Sequence, residues 1–318
     1  MSENILKKIK AIDNQYYKSV EFIDENTVAS YSFNFKENKQ IFRIESNTSY
    51  HEKIVPQEFY KEQGFIDKGK FGIIRENSII FYDIINGKSK YLKIKNPIKK
   101  LNKEEFSYFV HFSRLNEFKS IFTIQHSGFD ILGSFGLARY FSTLEIKNRK
   151  KLFGKNEYAN WINEPTQPDC SKFSPLYYNI GLFEKRPKDW LGIKDIISSN
   201  GRIYFYTNGG KMTRTKSGRK FEISEIGIMD LDFNIIDVKK IKDGYGKFST
   251  NGKYFIQQDY NEKRNLNIYD LTDFSFKTVR LTPTKNLGDV KKQSLFADLF
   301  NNKLLIYDHS NITISELK

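Results

Sequence analysis

The chain of 318 residues holds one cysteine, Cys170, only 7 Pro, 2 Trp and 4 His, and no long apolar run. One thiol forms no disulfide within the chain, which argues against the oxidising compartments where secreted β-proteins carry paired cysteines. The longest apolar runs, such as Ile79 to Tyr82, fall far short of the roughly 20 residues a spanning helix needs. The opening MSENILKKIKAIDNQYY scatters Lys and Glu where a signal peptide has its apolar core, so export by that route is not expected. The expectation is a soluble, cytoplasmic protein with no membrane partner. Catalytic signatures are missing too. His51, His111, His126 and His309 stand apart, with no HExxH and no second Cys to complete a zinc site. There is no GxSxG elbow, and Gly133 and Gly136 are not followed by the Lys-Ser/Thr of a phosphate loop. No catalytic residue, metal or cofactor is assigned.

What the chain has in quantity is aromatic and basic. Its 28 Phe and 19 Tyr, with 39% hydrophobic residues, supply enough apolar surface to offset the entropy of ordering. Its 52 Lys+Arg outnumber 38 Asp+Glu, for a net charge of +14. Short runs of Ile, Phe, Tyr and Val punctuated by turn residues favour strands. One unit stands out, GKFSTNGKYFIQQDYNEKRNLNIYDLTDFSFKTVRL from Gly246 to Leu281, which parses as four strands with an Asn251-Gly252 turn. The pattern recurs around Asn200-Gly201, Lys68-Gly69, Asp24-Glu25-Asn26 and Asn301-Asn302. These turns lie roughly 44 to 51 residues apart, except for one gap of about 132, three such periods. Four-stranded units at this spacing predict an all-β fold, a single β-propeller over residues 1–318, because each blade has a sheet face that only its neighbours bury. Seven blades are favoured, with six as the alternative if the irregular stretch at about 133–193 is an insertion. After the last turn only two strands remain, and ILKKIKAI near the start resembles the other fourth strands KYLKIK, DVKKIK and FKTVRL. The N-terminal strand is therefore expected to close the ring.

The third strands SIIFYDI, IGIMDL and LNIYDL resemble the Trp-Asp repeat of WD40-like propellers, with Tyr or Met where Trp is usual. NGKYFIQQD and NGRIYFYTN resemble the SPDGK-type blades of other bacterial propellers. The resemblance implies an interaction scaffold more often than an enzyme. The Lys-, Ile-, Asn- and Phe-rich composition is that expected of a low-GC bacterial protein.

Lysines cluster in the fourth strands, where Lys on an exposed edge blocks pairing with other chains. A different basic feature is GGKMTRTKSGRK, carrying Lys211, Arg214, Lys216, Arg219 and Lys220 between glycines, read as a mobile finger in a long hairpin loop. It contains no aromatic for base stacking, so an acidic protein is the better partner, with nucleic acid as the alternative. Trp161, set between charged and Pro-rich residues, is the aromatic expected to be exposed and to anchor a partner. Asp83, Asp230 and Asp270 recur at equivalent blade positions, which points to turn structure rather than catalysis. The function expected is that of a non-catalytic scaffold or neutralising binder. The runner-up is a propeller hydrolase or lyase acting on a carbohydrate or phosphorylated substrate.

Overall fold

The computed structural model describes residues 3–10, 15–34, 36–55, 63–67, 70–75, 78–94, 97, 106–116, 118–129, 135–151, 154–166, 193–215, 218–259, 262, 264–281, 296–307 and 311–317. They form six antiparallel four-stranded sheets, the blades of a divergent β-propeller. Sheet 1 joins β2 (Gln15–Asp24), β3 (Thr27–Asn34), β4 (Lys39–Glu45) and β5 (Tyr50–Val55). Sheet 2 joins β6 (Gln63–Asp67), β7 (Lys70–Arg75), β8 (Ser78–Asp83) and β9 (Lys88–Lys93). Sheet 3 joins β10 (Phe106–Arg114), β11 (Lys119–Phe129), β12 (Phe135–Lys151) and β13 (Gly154–Trp161). Sheet 4 joins β14 (Ile193–Ser199), β15 (Arg202–Thr215), β16 (Gly218–Met229) and β17 (Ile235–Ile241). Sheet 5 joins β18 (Gly244–Phe248), β19 (Tyr254–Asp259), β20 (Asn265–Asp270) and β21 (Phe276–Arg280). Sheet 6 takes β22 (Phe296–Phe300), β23 (Lys303–Tyr307) and β24 (Asn311–Leu317) from the end of the chain and β1 (Glu3–Lys10) from its start. The expected terminal closure is present, with Glu3 opposite Leu317 and Lys10 opposite Asn311. Among the described residues no helix is long and apolar enough to cross a membrane.

Seven blades are corrected to six. Among the described residues the gap between the turns near residues 69 and 201 holds one further sheet: β11 and β12 run to 11 and 17 residues, and residues 167–192 add a length that a fixed period counts as another blade. The stretch 167–192, with Cys170 and Trp190, lies outside the described residues.

The chain divides into two compact units, one of Met1–Ile74, Ile80–Lys90 and Gly244–Lys318, the other of Arg75–Ile79 and Tyr91–Asp243. Within the first, sheets 1 and 2 bury Tyr31, Phe42, Phe71 and Tyr82 against each other, and the Phe42 and Phe71 rings stack at 4.5 Å. Sheets 5 and 6 share Ile256, Leu266, Leu299 and Leu304, and sheets 6 and 1 share Val20, Phe22, Leu305 and Tyr307. Each such side chain contributes about 1.5–3 kcal/mol through removal from water, so the stability of a blade resides in its neighbours. In the second unit Phe141, Phe205, Met229 and Phe233 do the same for sheets 3 and 4. Middle strands such as β3 are buried along most of their length, which explains why their sequences read as runs of apolar residues rather than clean alternation.

A carboxylate fastens three blades of the first unit. Asp298, on β22 and fully buried, accepts hydrogen bonds from Phe22 N of sheet 1 at 2.7 Å and from Thr250 N and Oγ1, at the end of sheet 5, at 3.1 and 2.7 Å. Leu299 N donates to it as well, at 2.9 Å. A buried carboxylate is costly unless its acceptor sites are filled, and these four donors fill them.

The turn aspartates act as expected. Asp83 accepts from Asn86 N and Nδ2, Asp230 from Asp232 N, Asn234 N and Asn234 Nδ2, and Asp270 from Thr272 N, each holding the bend between third and fourth strands. Asn200 and Gly201 both have positive φ, +51° and +70°, as a type I′ hairpin requires. The Asn251-Gly252 turn is wider: only Gly252 is left-handed, and its N–H donates to Ser249 O at 2.9 Å.

Candidate interaction site on a basic β-ribbon

Sheets 4 and 5 follow one template until their second hairpin. In sheet 5, β19 and β20 have 6 residues each, whereas β15 and β16 have 14 and 12. The added length carries the basic residues expected to bind a partner. Lys216 apart, which lies outside the described residues, they fall on paired strands rather than in a loop: β15 and β16 stay paired from Ile203 opposite Met229 out to Thr215 opposite Gly218. The register shifts once, between Gly209 and Met212, around the Gly209-Gly210 pair and Lys211. A bulge of this kind turns the ribbon and raises its twist.

Pairing brings the cations together. Arg214 lies directly opposite Arg219, Thr213 opposite Lys220, and Met212 opposite Phe221. Lys211 sits at the bulge, and Lys216 lies outside the described residues. The Arg214–Arg219 and Met212–Phe221 pairs stand two register positions apart. Arg, Met and Phe are residue types enriched in protein interfaces. The finger's predicted lack of aromatics holds for the segment as read from sequence, but the register adds Phe221, which no spacing argument reached.

A second basic stretch is built in the same way. β12 and β13 pair to their tip with Lys147 opposite Tyr158 and Lys150 opposite Lys155. Trp161, at the other end of β13, is half-buried rather than projecting: its ring stacks on Phe109 at 5.7 Å and meets Phe122 edge-on at 5.7 Å. The structure therefore keeps Trp161 apart from the basic ribbon in sequence and in sheet.

The lysines of β9, Lys88, Lys90 and Lys93, are exposed on the last strand of sheet 2, where they protect an open edge. In the first unit Lys247 of β18 reaches toward Glu21 of β2, Nζ to Oε2 at 3.8 Å, and toward Val20 O at 3.5 Å. Glu21 and Asp298 were not reachable from spacing. The one sequence cue for Asp298 is its place between apolar neighbours in LFADLF. On the edge of sheet 1, Arg43 Nη2 and the Tyr50 hydroxyl both donate to Glu52 Oε2, at 2.8 and 2.5 Å. Burial works to raise the Glu52 pKa, but these hydrogen bonds and the Arg43 charge outweigh it and hold the carboxyl below its usual value. Among the described residues no group of three His, Cys, Asp or Glu is arranged to hold a metal ion.

No protein-family model matches the chain, and no curated protein does. Solved structures to which it is similar include Penicillium chrysogenum alpha-L-arabinanase complexed with arabinobiose, at 9% identity over 100% of this chain and 98% of that one with a TM-score of 0.48. Luciferin-regenerating enzyme is 8% identical over 98% of this chain and 96% of that one, with a TM-score of 0.47. The WD40 domain of SCAP from fission yeast is 8% identical over 99% and 95%, with a TM-score of 0.32. Likenesses of this degree carry no argument about activity or partner.

Proposed function

We propose that this chain is a non-catalytic, cytoplasmic interaction protein, a single propeller domain over residues 1–318 that serves as a scaffold or a neutralising binder of an acidic protein. The observation that carries the reading is the register of the β15–β16 ribbon, which sets Arg214 against Arg219 and Thr213 against Lys220 on an outgrowth that its sister sheet lacks. A hairpin extension that only had to close the blade has no use for facing cations, since they repel. A carboxylate-rich surface removes that repulsion and gains charge-assisted hydrogen bonds, which Arg makes in bidentate form. Lys211, Arg214, Lys216, Arg219 and Lys220 form the binding element, and Trp161 is a separate anchor.

The test compares tagged wild-type chain with an Arg214→Glu/Arg219→Glu double variant in pull-downs from nuclease-treated native lysate at physiological salt. An acidic protein recovered near stoichiometrically by the wild type and lost from the variant supports the proposal. Equal recovery by both contradicts it. Recovery of nucleic acid when nuclease is omitted, with an affinity that falls steeply with salt and no protein partner, transfers the ribbon to the nucleic-acid reading.

A further inference from the structure

The β15–β16 ribbon extends past both of its neighbours. β14 pairs with β15 only as far as Ile193 opposite Thr207, and β17 pairs with β16 only as far as Ile241 opposite Ser224. Beyond those points, residues 208–215 and 218–223 pair only with each other, and among the described residues no strand lies along either outer edge. Eight residues at about 3.3 Å each give an edge of about 25 Å that no described strand pairs with. Open edges recruit further strands, and proteins ordinarily blunt them or cover them.

We propose that this edge takes up an extended acidic segment of the partner as an added strand, so that the partner is held by backbone hydrogen bonds and selected by its carboxylates. The inference rests on the acidic-partner reading above and adds the form in which that partner binds. Charge decides the occupant. A second copy of this chain would bring Lys211, Arg214, Arg219 and Lys220 against their own kind, and lysine and arginine at an edge oppose such self-pairing. An acidic strand added here runs beside register positions occupied by Arg214, Arg219 and Lys220. Backbone pairing supplies affinity with little demand on side-chain shape, and the alternating side chains supply selection.

The probe is an eleven-residue peptide alternating Glu and Val, compared with the same peptide N-methylated at every backbone nitrogen, which keeps the charge and removes the donors of both edges. Binding of each to the full chain and to the Arg214→Glu/Arg219→Glu variant is measured by calorimetry at physiological salt. The expected result is binding of the unmodified peptide to wild type, at least tenfold weaker binding of the methylated peptide, and at least tenfold weaker binding of the unmodified peptide to the variant. If both peptides bind the wild type equally and the variant weakens both, strand addition is overturned while the acidic-partner reading stands. If the variant binds the unmodified peptide as well as the wild type does, or neither chain binds it, the ribbon is not an acidic site and both proposals fail. Concentration-dependent dimerisation of the free chain, lost on charge reversal, overturns the proposal by assigning the edge to a second copy.

Discussion

Sheets 4 and 5 stand next to each other in the chain and are written on one template. Each opens its second strand after an Asn-Gly turn, and each bends from third to fourth strand through an Asp-Leu sequence followed by a left-handed Phe, Phe233 at φ +68° and Phe274 at +59°. They differ in the hairpin between second and third strands. Sheet 5 stops where its pairing partners stop, and a short loop closes it, with Glu262 N donating to Asp259 Oδ1 and Asn265 Nδ2 to Glu262 Oε2. Sheet 4 continues into a basic ribbon that no third strand covers among the described residues. What is common to the two sheets is what a blade needs to fold, and what sheet 4 has in excess is what the proposal assigns to binding. The comparison also separates two uses of charge. The Asp298 carboxylate is buried, fully hydrogen-bonded and committed to joining sheets 5, 6 and 1. The cations of the ribbon are set against one another.

The comparison breaks first where the fold is closed. Deleting Glu3–Lys10 removes the outer strand of sheet 6 and bares β24 along its length. Loss of soluble, cooperatively melting protein is expected, checked by expression yield and by circular dichroism of whatever is recovered. A soluble deletion variant with an unchanged melting curve would mean that sheet 6 needs no fourth strand.

Asp298→Ala comes next. It leaves the buried N–H groups of Phe22 and Leu299 and the Thr250 hydroxyl without their acceptor, for an expected loss of about 3–5 kcal/mol. Urea denaturation midpoints of wild type and variant measure it. A loss below about 1 kcal/mol would show that water replaces the carboxylate and that the three-blade junction is not a stabilising feature.

The smallest effect sharpens the shared part of the template. The Asp230 carboxyl is held below its usual pKa by the Asn234 side-chain hydrogen bond, with help from the Asn234 and Asp232 backbone N–H groups against a small desolvation effect. A carboxyl depressed in the folded state contributes stability that is present above its unfolded pKa and lost as the pH falls through the folded value. Asp230→Ala should therefore cost about 1 kcal/mol at pH 7 and less at pH 2–3, read from denaturation midpoints at the two pH values. An equal cost at both would assign the effect to the turn's shape instead of the carboxylate's charge.

Much of the architecture is written locally. Tight turns need left-handed residues, so Asn200-Gly201 marks its hairpin in any context, and third strands ending in Asp mark their bends because the carboxylate caps the following N–H groups. The N-terminal strand was legible because the last sheet was short of one. Blade number was not, because it depends on how long each strand and connection runs: β12 reaches 17 residues, and residues 167–192 add a length that a fixed period counts as another blade. The basic residues of the ribbon were legible as a charge cluster, but their pairing was not. Which cation faces which is a matter of register, fixed by the bulge between Gly209 and Met212 and by where β14 and β17 end. Trp161 shows the same limit from the other side: its sequence neighbours are charged or Pro, while its packing partners Phe109 and Phe122 lie on other strands.

The central claim is that the ribbon is dispensable for folding and required for binding. It is tested most directly by replacing residues 210–222 with a two-residue Asn-Gly turn between Gly209 and Ile223, which the register sets opposite each other, so that sheet 4 takes the form of sheet 5. Thermal melting and capture of the acidic partner are then measured on the same preparation. The account predicts a denaturation free energy within about 1 kcal/mol of wild type, since surface changes away from the core rarely exceed that, together with complete loss of the partner. A trimmed chain that retains the partner at wild-type affinity would contradict it, and so would one that fails to fold.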